Sequence, residues 1–171
     1  MKKIALPVLL VVFMFAESSC VTRSQYKSWH EYPKAPFFCR YQINDVSVVI
    51  DHVREENIAK QLNLIANTHL ESRQRNYQSG DKILLVDIGV EQRSFMQNVE
   101  LYNSIFVSCV AHDEEGNVYA IENAYISGKR TFIAVTEQNT IIIHVLNRLL
   151  KNQQQMLREV RKLEKNKVQE K

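Results

Sequence analysis

From Lys82 to Ser127 the chain keeps a two-residue rhythm that only a β-sheet can use. In Lys82–Arg93, Leu84, Val86, Ile88 and Val90 point one way, and Asp87, Gly89, Glu91 and Arg93 the other. Val99–His112 follows with Val99, Leu101, Ile105, Val107, Cys109 and Ala111 on one face. Its other face holds Glu100, Tyr102, Ser104, Phe106, Ser108, Val110 and His112. Asp113–Gly116 reads as a four-residue turn, and Val118–Ser127 as the return strand with Val118, Ala120, Ala124 and Ile126 on one face. Pairing His112 with Asn117 sets Ala111 opposite Val118, Cys109 opposite Ala120 and Ile105 opposite Ala124. Val107 opposite Glu122 is the discordant pair. These segments predict an antiparallel meander.

The flanks supply the other layer. Tyr41–Val53 is rich in β-branched residues and reads as a strand, with Asn44-Asp45 as a bulge. Arg54–Arg73 carries Ile58, Leu62, Ile65, Ala66 and Leu70 at helical spacing. Thr136 reads as the N-cap of a second helix. In that helix Ile142, Leu146, Leu149, Gln153, Met156, Val160 and Leu163 step by four and three, which is a heptad seam. The fold class expected is α+β. The architecture expected is a two-layer sandwich, a four-stranded mixed sheet with two helices on one face in the order β-α-β-β-β-α. A right-handed crossover makes the first two strands parallel. The C-terminal helix should run on past the domain.

Met1–Cys20 fixes where such a domain would work. Two lysines, a mostly apolar run Ile4–Ala16, a short polar patch and a cysteine form an export signal. The apolar run is short of the roughly 20 residues that cross a bilayer. Cleavage after Ala16-Glu17-Ser18 is one outcome. The favoured one is lipoprotein processing, in which Ser18-Ser19-Cys20 resembles the end of a lipobox and Cys20 carries acyl chains of the palmitate kind. Glu17 sits where that motif usually has a Leu-like residue. Val21, rather than Asp, after the cysteine points to the outer membrane, on its periplasmic face. The organisation expected is a signal peptide over 1–19, a lipidated N-terminus and tether over 20–40, an α+β domain over 41–150 and a charged helical extension over 151–171. Tyr26, Trp29, Tyr32, Phe37 and Phe38 crowd the tether. They either pack back on the domain or form a belt at the membrane surface.

Charge narrows the partners. The net formal charge is +3, and the seven basic and three acidic residues of 151–171 account for it. The rest is near neutral, so no nucleic-acid footprint is present. The basic helix end is either a solvated terminus or a self-association surface. With Cys20 lipidated, Cys39 and Cys109 remain as either one disulfide or two separate thiols. His30, His52, His69, His112 and His144 are scattered without metal-ligand spacing. There is no phosphate-binding loop and no nucleophile elbow. No enzyme activity, cofactor or metal is therefore expected. The sheet face away from the helices would carry Tyr102, Phe106, Val110, Tyr119 and Tyr125, more apolar than a solvated face needs. Those five residues are the candidate partner-binding surface.

The export signal ending in cysteine and the βαβββα pattern over Tyr41–Leu150 resemble a group of small bacterial periplasmic lipoproteins. They include the LptE-like lipoproteins and the auxiliary lipoproteins of ABC-type lipid transporters. Leu101–Val118 looks like their central strand, acidic-glycine turn and return strand. The resemblance implies a non-enzymatic accessory or scaffold in an outer-membrane or lipid-transport complex, with a protein partner in the envelope. A surface-exposed adhesin and a tethered or secreted hydrolase are the other classes open to such a chain.

Overall fold

The alternating segments become the middle of one six-stranded sheet, ordered β1-β6-β5-β4-β2-β3. The computed structural model describes residues 25–31, 35, 37–75, 82–97, 99–128 and 135–169. Its strands are β1 (Gln25–His30), β2 (Cys39–Ile50), β3 (Val53–Arg54), β4 (Lys82–Gln97), β5 (Glu100–His112) and β6 (Val118–Gly128). The described helices are α1 (Glu56–Arg73) and α2 (Val135–Gln169). Cys20 lies outside the described residues.

The α+β class holds, but the four-stranded architecture does not. Two edge strands extend the sheet. β1 lies within the stretch read as a tether and pairs antiparallel with β6, from Gln25↔Ser127 to His30↔Glu122. It has six residues and no clean alternation, so the lattice that orders it belongs to β6. β3 has two residues, too short to leave a pattern, and closes a hairpin with β2. Asp51 and His52 form its turn, both with positive φ (47° and 70°). That is the turn which suits the twist of a two-residue hairpin. The first and second strands foreseen, β2 and β4, are parallel, with a register shift between Ile43 and Asp45 where the bulge was expected.

The β5–β6 register differs from the expected one by two residues. Ala111 faces Ala120, Cys109 faces Glu122, Val107 faces Ala124 and Ile105 faces Ile126. One residue comes from the turn, which runs through Asn117, since Asp113 N–H donates to Asn117 O at 3.1 Å. The other comes from the bulge between Ala111 and His112. A shift of two keeps Ala120, Ala124 and Ile126 on the expected face, while the bulge sets Val118 opposite His112 rather than Ala111.

Both described helices pack on that face. Ala59, Leu62, Ala66 and Leu70 of α1 and Ile142, Val145, Leu146 and Leu149 of α2 are buried over Val86, Ile88, Ile105 and Val107. The first half of the heptad seam is thus consumed by the chain's own sheet. Met156, Val160 and Leu163 lie outside the described side chains. α2 begins at Val135, which puts Thr136 inside it rather than at its cap.

Two glutamines close the outer edge of β2. Gln153 Oε1 accepts from Cys39 N–H at 3.0 Å, and its Nε2 donates to Phe37 O at 3.0 Å. Gln74 Oε1 accepts from Tyr41 N–H at 2.7 Å, and its Nε2 donates to Tyr41 O at 2.8 Å. Each side-chain amide replaces a missing strand, which protects an edge that would otherwise template aggregation. Gln153 therefore serves the edge of the sheet rather than the register of a coiled coil.

Cys39 and Cys109 are buried thiols, not a cystine. β4 separates their strands, and Cys39 is level with Lys82 while Cys109 is level with Ile88. That spacing exceeds what a disulfide spans. Burial, aided by the Glu122 charge, pushes the Cys109 thiol far above its ordinary value.

The discordant Glu122 is fully buried on the helix face. Arg148 of α2 donates through Nε to its Oε2 at 3.0 Å and also contacts Ser28 Oγ of β1. The pair ties α2 to the β6–β1 edge. Arg148→Ala should cost about 3–5 kcal/mol by leaving a buried carboxylate without its cation. The double variant Glu122→Leu/Arg148→Met should recover most of that in urea unfolding. Equal losses in the single and double variants would show that packing, not charge, makes this contact.

Candidate functional site on the helix-free sheet face

Antiparallel pairing places cross-strand partners on one face. Phe106 therefore lies beside Tyr125 and Glu91, and Val110 beside Ile121 and Asp87. These two rows run across the sheet on the side without helices. Between them runs a row of small residues: Ser47 beside Gly89, Gly89 beside Ser108, and Ser108 beside Asn123. The result is a shallow furrow with Phe106 and Tyr125 on one bank and Val110 and Ile121 on the other. A Cβ at Gly89 would meet only Ser47 Oγ at 3.9 Å, so the glycine leaves open space there. Trp29 closes the β1 end, level with Asn123 and 6.0 Å from the Phe106 ring. Asn123 Nδ2 donates to Glu31 Oε1 at 2.9 Å.

Four of the five partner residues read from the sequence share this face. Phe106, Val110 and Tyr125 line the furrow, and Tyr102 lies toward the β4–β5 turn, its ring stacked on Phe95 at 5.8 Å. Tyr119 stands apart. Its hydroxyl donates to Asp113 Oδ2 at 3.0 Å and accepts from Lys82 Nζ at 3.1 Å. Its ring meets Phe37 edge-on at 5.2 Å. Tyr119 thus belongs to the turn. The furrow itself was missed because Gly89 and Ser108 read as neutral positions until pairing aligns them.

The aromatic belt is not a unit. Trp29 packs on Phe106, Phe37 on Tyr119, and Tyr26 on His144 of α2 at 5.4 Å, on the other face. Phe38 is half-buried, and Tyr32 lies outside the described residues.

The end of the sheet at the Asp113–Asn117 turn is polar. Lys82 Nζ lies 4.9 Å from the Phe37 ring centroid and 4.6 Å from that of Tyr119. Its hydrogen bond to Tyr119 is the main cause that raises its pKa, with the Asp113 charge assisting. Lys82, Ile83, Asp113, Glu115, Asn117 and Tyr119 line an open depression of about 570 Å³. Lys82 and Asp113 already pair within it at 3.8 Å. Asp113 also organises the turn, accepting from Glu115 N–H at 3.1 Å and Asn117 N–H at 2.9 Å through Oδ1. Burial opposes its charge, yet these bonds, with Tyr119 and Lys82, hold its carboxyl down at about 2.

His112 bridges the turn and the furrow. One ring nitrogen lies 2.8 Å from Asp113 O and the other 3.0 Å from Asp87 Oδ2, while Asn44 Nδ2 donates to Asp87 Oδ1 at 2.8 Å. Both His112 partners are acceptors, so the imidazolium satisfies both at once. The Asp113 carbonyl is the largest cause that raises its pKa; desolvation opposes it, and the Asp87 hydrogen bond and charge add to the rise.

Among the described residues no three His, Cys, Asp or Glu side chains converge as metal ligands would. Nor is any described helix long and apolar enough to cross a membrane.

No family model matches the chain, and no curated protein matches it. Solved structures with a related arrangement include the PelC dodecamer from Paraburkholderia phytofirmans. It is 14% identical over 73% of this chain and 97% of that one, with a TM-score of 0.48. A single-residue variant of the same dodecamer matches at 14% identity over the same shares, with a TM-score of 0.43.

His112 should titrate above the ordinary histidine value of about 6.5 in a proton-detected NMR titration. Because its folded pKa is raised, its stabilising contribution is complete below that ordinary value and is lost as pH rises through the folded one. His112→Gln should flatten that limb of the stability profile. Asp113 has the opposite sign. Its contribution is complete above about pH 4 and is lost as pH falls toward about 2. A His112 value at or below that of a free histidine would contradict the bridge.

Proposed function

We propose that this chain is a non-enzymatic, lipid-anchored accessory protein of the bacterial envelope that offers its helix-free sheet face to a protein partner. The observation that carries the reading is the furrow. Phe106, Val110, Ile121 and Tyr125 form a half-buried apolar surface around small residues, and both described helices pack on the opposite face. A face open to water alone would favour charge at these rows. The export signal and Cys20 supply the anchor. The resemblance to LptE-like and transport-auxiliary lipoproteins agrees with an accessory role in an outer-membrane or lipid-transport assembly. Self-association would draw on α2 beyond Gln153, since the seam up to that residue is buried in the domain.

Two experiments test this reading. Cys20→Ala should move the protein from the membrane to the soluble periplasmic fraction, and continued membrane association would remove lipidation at Cys20 as the anchor. A photo-crosslinker at Ser104, on the same face, should trap an envelope subunit in native membranes. Gly89→Val, whose Cβ would meet only Ser47 Oγ at 3.9 Å, fills the furrow and should reduce that product at least about tenfold, the equivalent of 1.4 kcal/mol. Leu64→Glu, on the outer side of α1 where Leu64 is 70% exposed, should leave it unchanged. An unaltered product in Gly89→Val would exclude the furrow as the docking surface.

A further inference from the structure

We propose that the tip of the β4–β5 hairpin, formed by Phe95, Met96, Val99 and Leu101, rests in the interface of the bilayer that holds the chain's own N-terminal lipid. The inference depends on the lipid-anchor reading above and adds an orientation to it.

The hairpin outruns the sheet. β2 stops pairing with β4 at Ile50↔Gln92, and the Asp51 carboxylate caps that edge by accepting from Ser94 N–H at 2.6 Å. β6 stops pairing with β5 at Gly128↔Asn103. Among the described residues the β4–β5 ladder continues alone through Phe95↔Tyr102, Met96↔Leu101 and Gln97↔Glu100. A finger two strands wide carries Phe95 and Tyr102 on one face and Met96 and Leu101 on the other.

Its apolar residues are exposed where a water-facing hairpin would be polar. Met96 is 64% exposed, Val99 92%, Phe95 38% and Leu101 36%. Val99 also has a φ of 67°. A β-branched residue in that region is a genuine outlier, and glycine would hold the turn with less strain. An apolar side chain is therefore kept at the most projecting described position, at a conformational cost. Tyr102 behind the tip, with its hydroxyl 3.4 Å from Glu100 Oε2, has the amphipathic ring that favours a membrane–water boundary.

The described chain that follows the anchor begins at the same end. Gln25 is level with Ser127, Ser127 with Ser104, and Ser104 with Arg93. The strand that follows the anchor thus starts one row behind Ser94 and runs away from the tip. Four residues lie between Cys20 and Gln25, and the resulting five Cα steps reach at most about 18 Å. The tip projects from the Arg93 row by roughly 14 Å at ~3.4 Å per residue. The two lengths match, so a lipid on Cys20 and the hairpin tip can meet one surface together. The opposite end of the sheet carries Asp113, Glu114 and Glu115, three carboxylates that an anionic surface would repel.

The test uses the full acylated chain in phosphatidylethanolamine–phosphatidylglycerol vesicles. Val99→Cys, Met96→Cys and Glu115→Cys variants are each labelled with a nitrobenzoxadiazole probe, Cys39 and Cys109 being buried. Nitroxide-bearing lipids should quench the probes at 96 and 99 at least twice as strongly as the probe at 115, with blue-shifted emission. Vesicle co-flotation and the mass of the N-terminal peptide report the anchor separately. Co-flotation with no excess quenching at either tip position overturns the proposal and leaves the anchor standing. A chain without acyl groups that fails to co-float removes the anchor and the proposal with it.

Discussion

The antiparallel ladder between β4 and β5 runs unbroken from Leu85↔His112 to Gln97↔Glu100, and the rest of the molecule is arranged around it. Its inner half supplies Val86, Ile88, Val90, Ile105, Val107 and Cys109 to the core. Its outer half has no sheet neighbours among the described residues and forms the projecting finger. Because one rigid ladder serves both halves, the tip is positioned by the core. Displacing the core would move the finger, so the orientation of the hairpin is a property of the whole fold.

Placing both described helices on one side has a chemical consequence. The helix side is sealed by apolar contacts and by a few polar side chains that pair between elements. Glu122 meets Arg148, Gln138 Nε2 donates to Gln92 Oε1 at 2.9 Å, and Gln74 and Gln153 pair with the β2 backbone. The other side keeps aromatic and small residues in register with nothing across them among the described residues. Edge protection and the proposed partner surface therefore lie on different parts of the sheet. Glutamine side chains cover part of the β2 edge, while the furrow lies on the open face of β4, β5 and β6.

Where a signal repeats, it was legible in the sequence. The alternation in Lys82–Arg93 and the helical stripe of Leu62, Ala66 and Leu70 located β4 and α1. The apolar partner residues Phe106, Val110 and Tyr125 fell on the same face in sequence and structure. Features that depend on a neighbour were not legible. β1 is a strand because β6 pairs with it. Tyr119 left the face because a bulge and Asp113 redirect it. Gln153 looked like a weak seam residue until the β2 edge gave its amide three partners. Gly89 and Ser108 became a furrow only when the register aligned them. The sequence reading ended β4 at Arg93, because alternation in hydrophobicity stops where the finger leaves the core, although the backbone pairing does not.

Orientation at the membrane is the claim on which the account rests. Hydrogen-exchange mass spectrometry that compares the unacylated Cys20→Ala chain free in solution with the acylated natural sequence bound to vesicles tests it without a label. Membrane binding should slow exchange in residues 94–102 and leave the Asp113–Asn117 turn unchanged. Slowed exchange at that turn with no change in the hairpin would contradict the account.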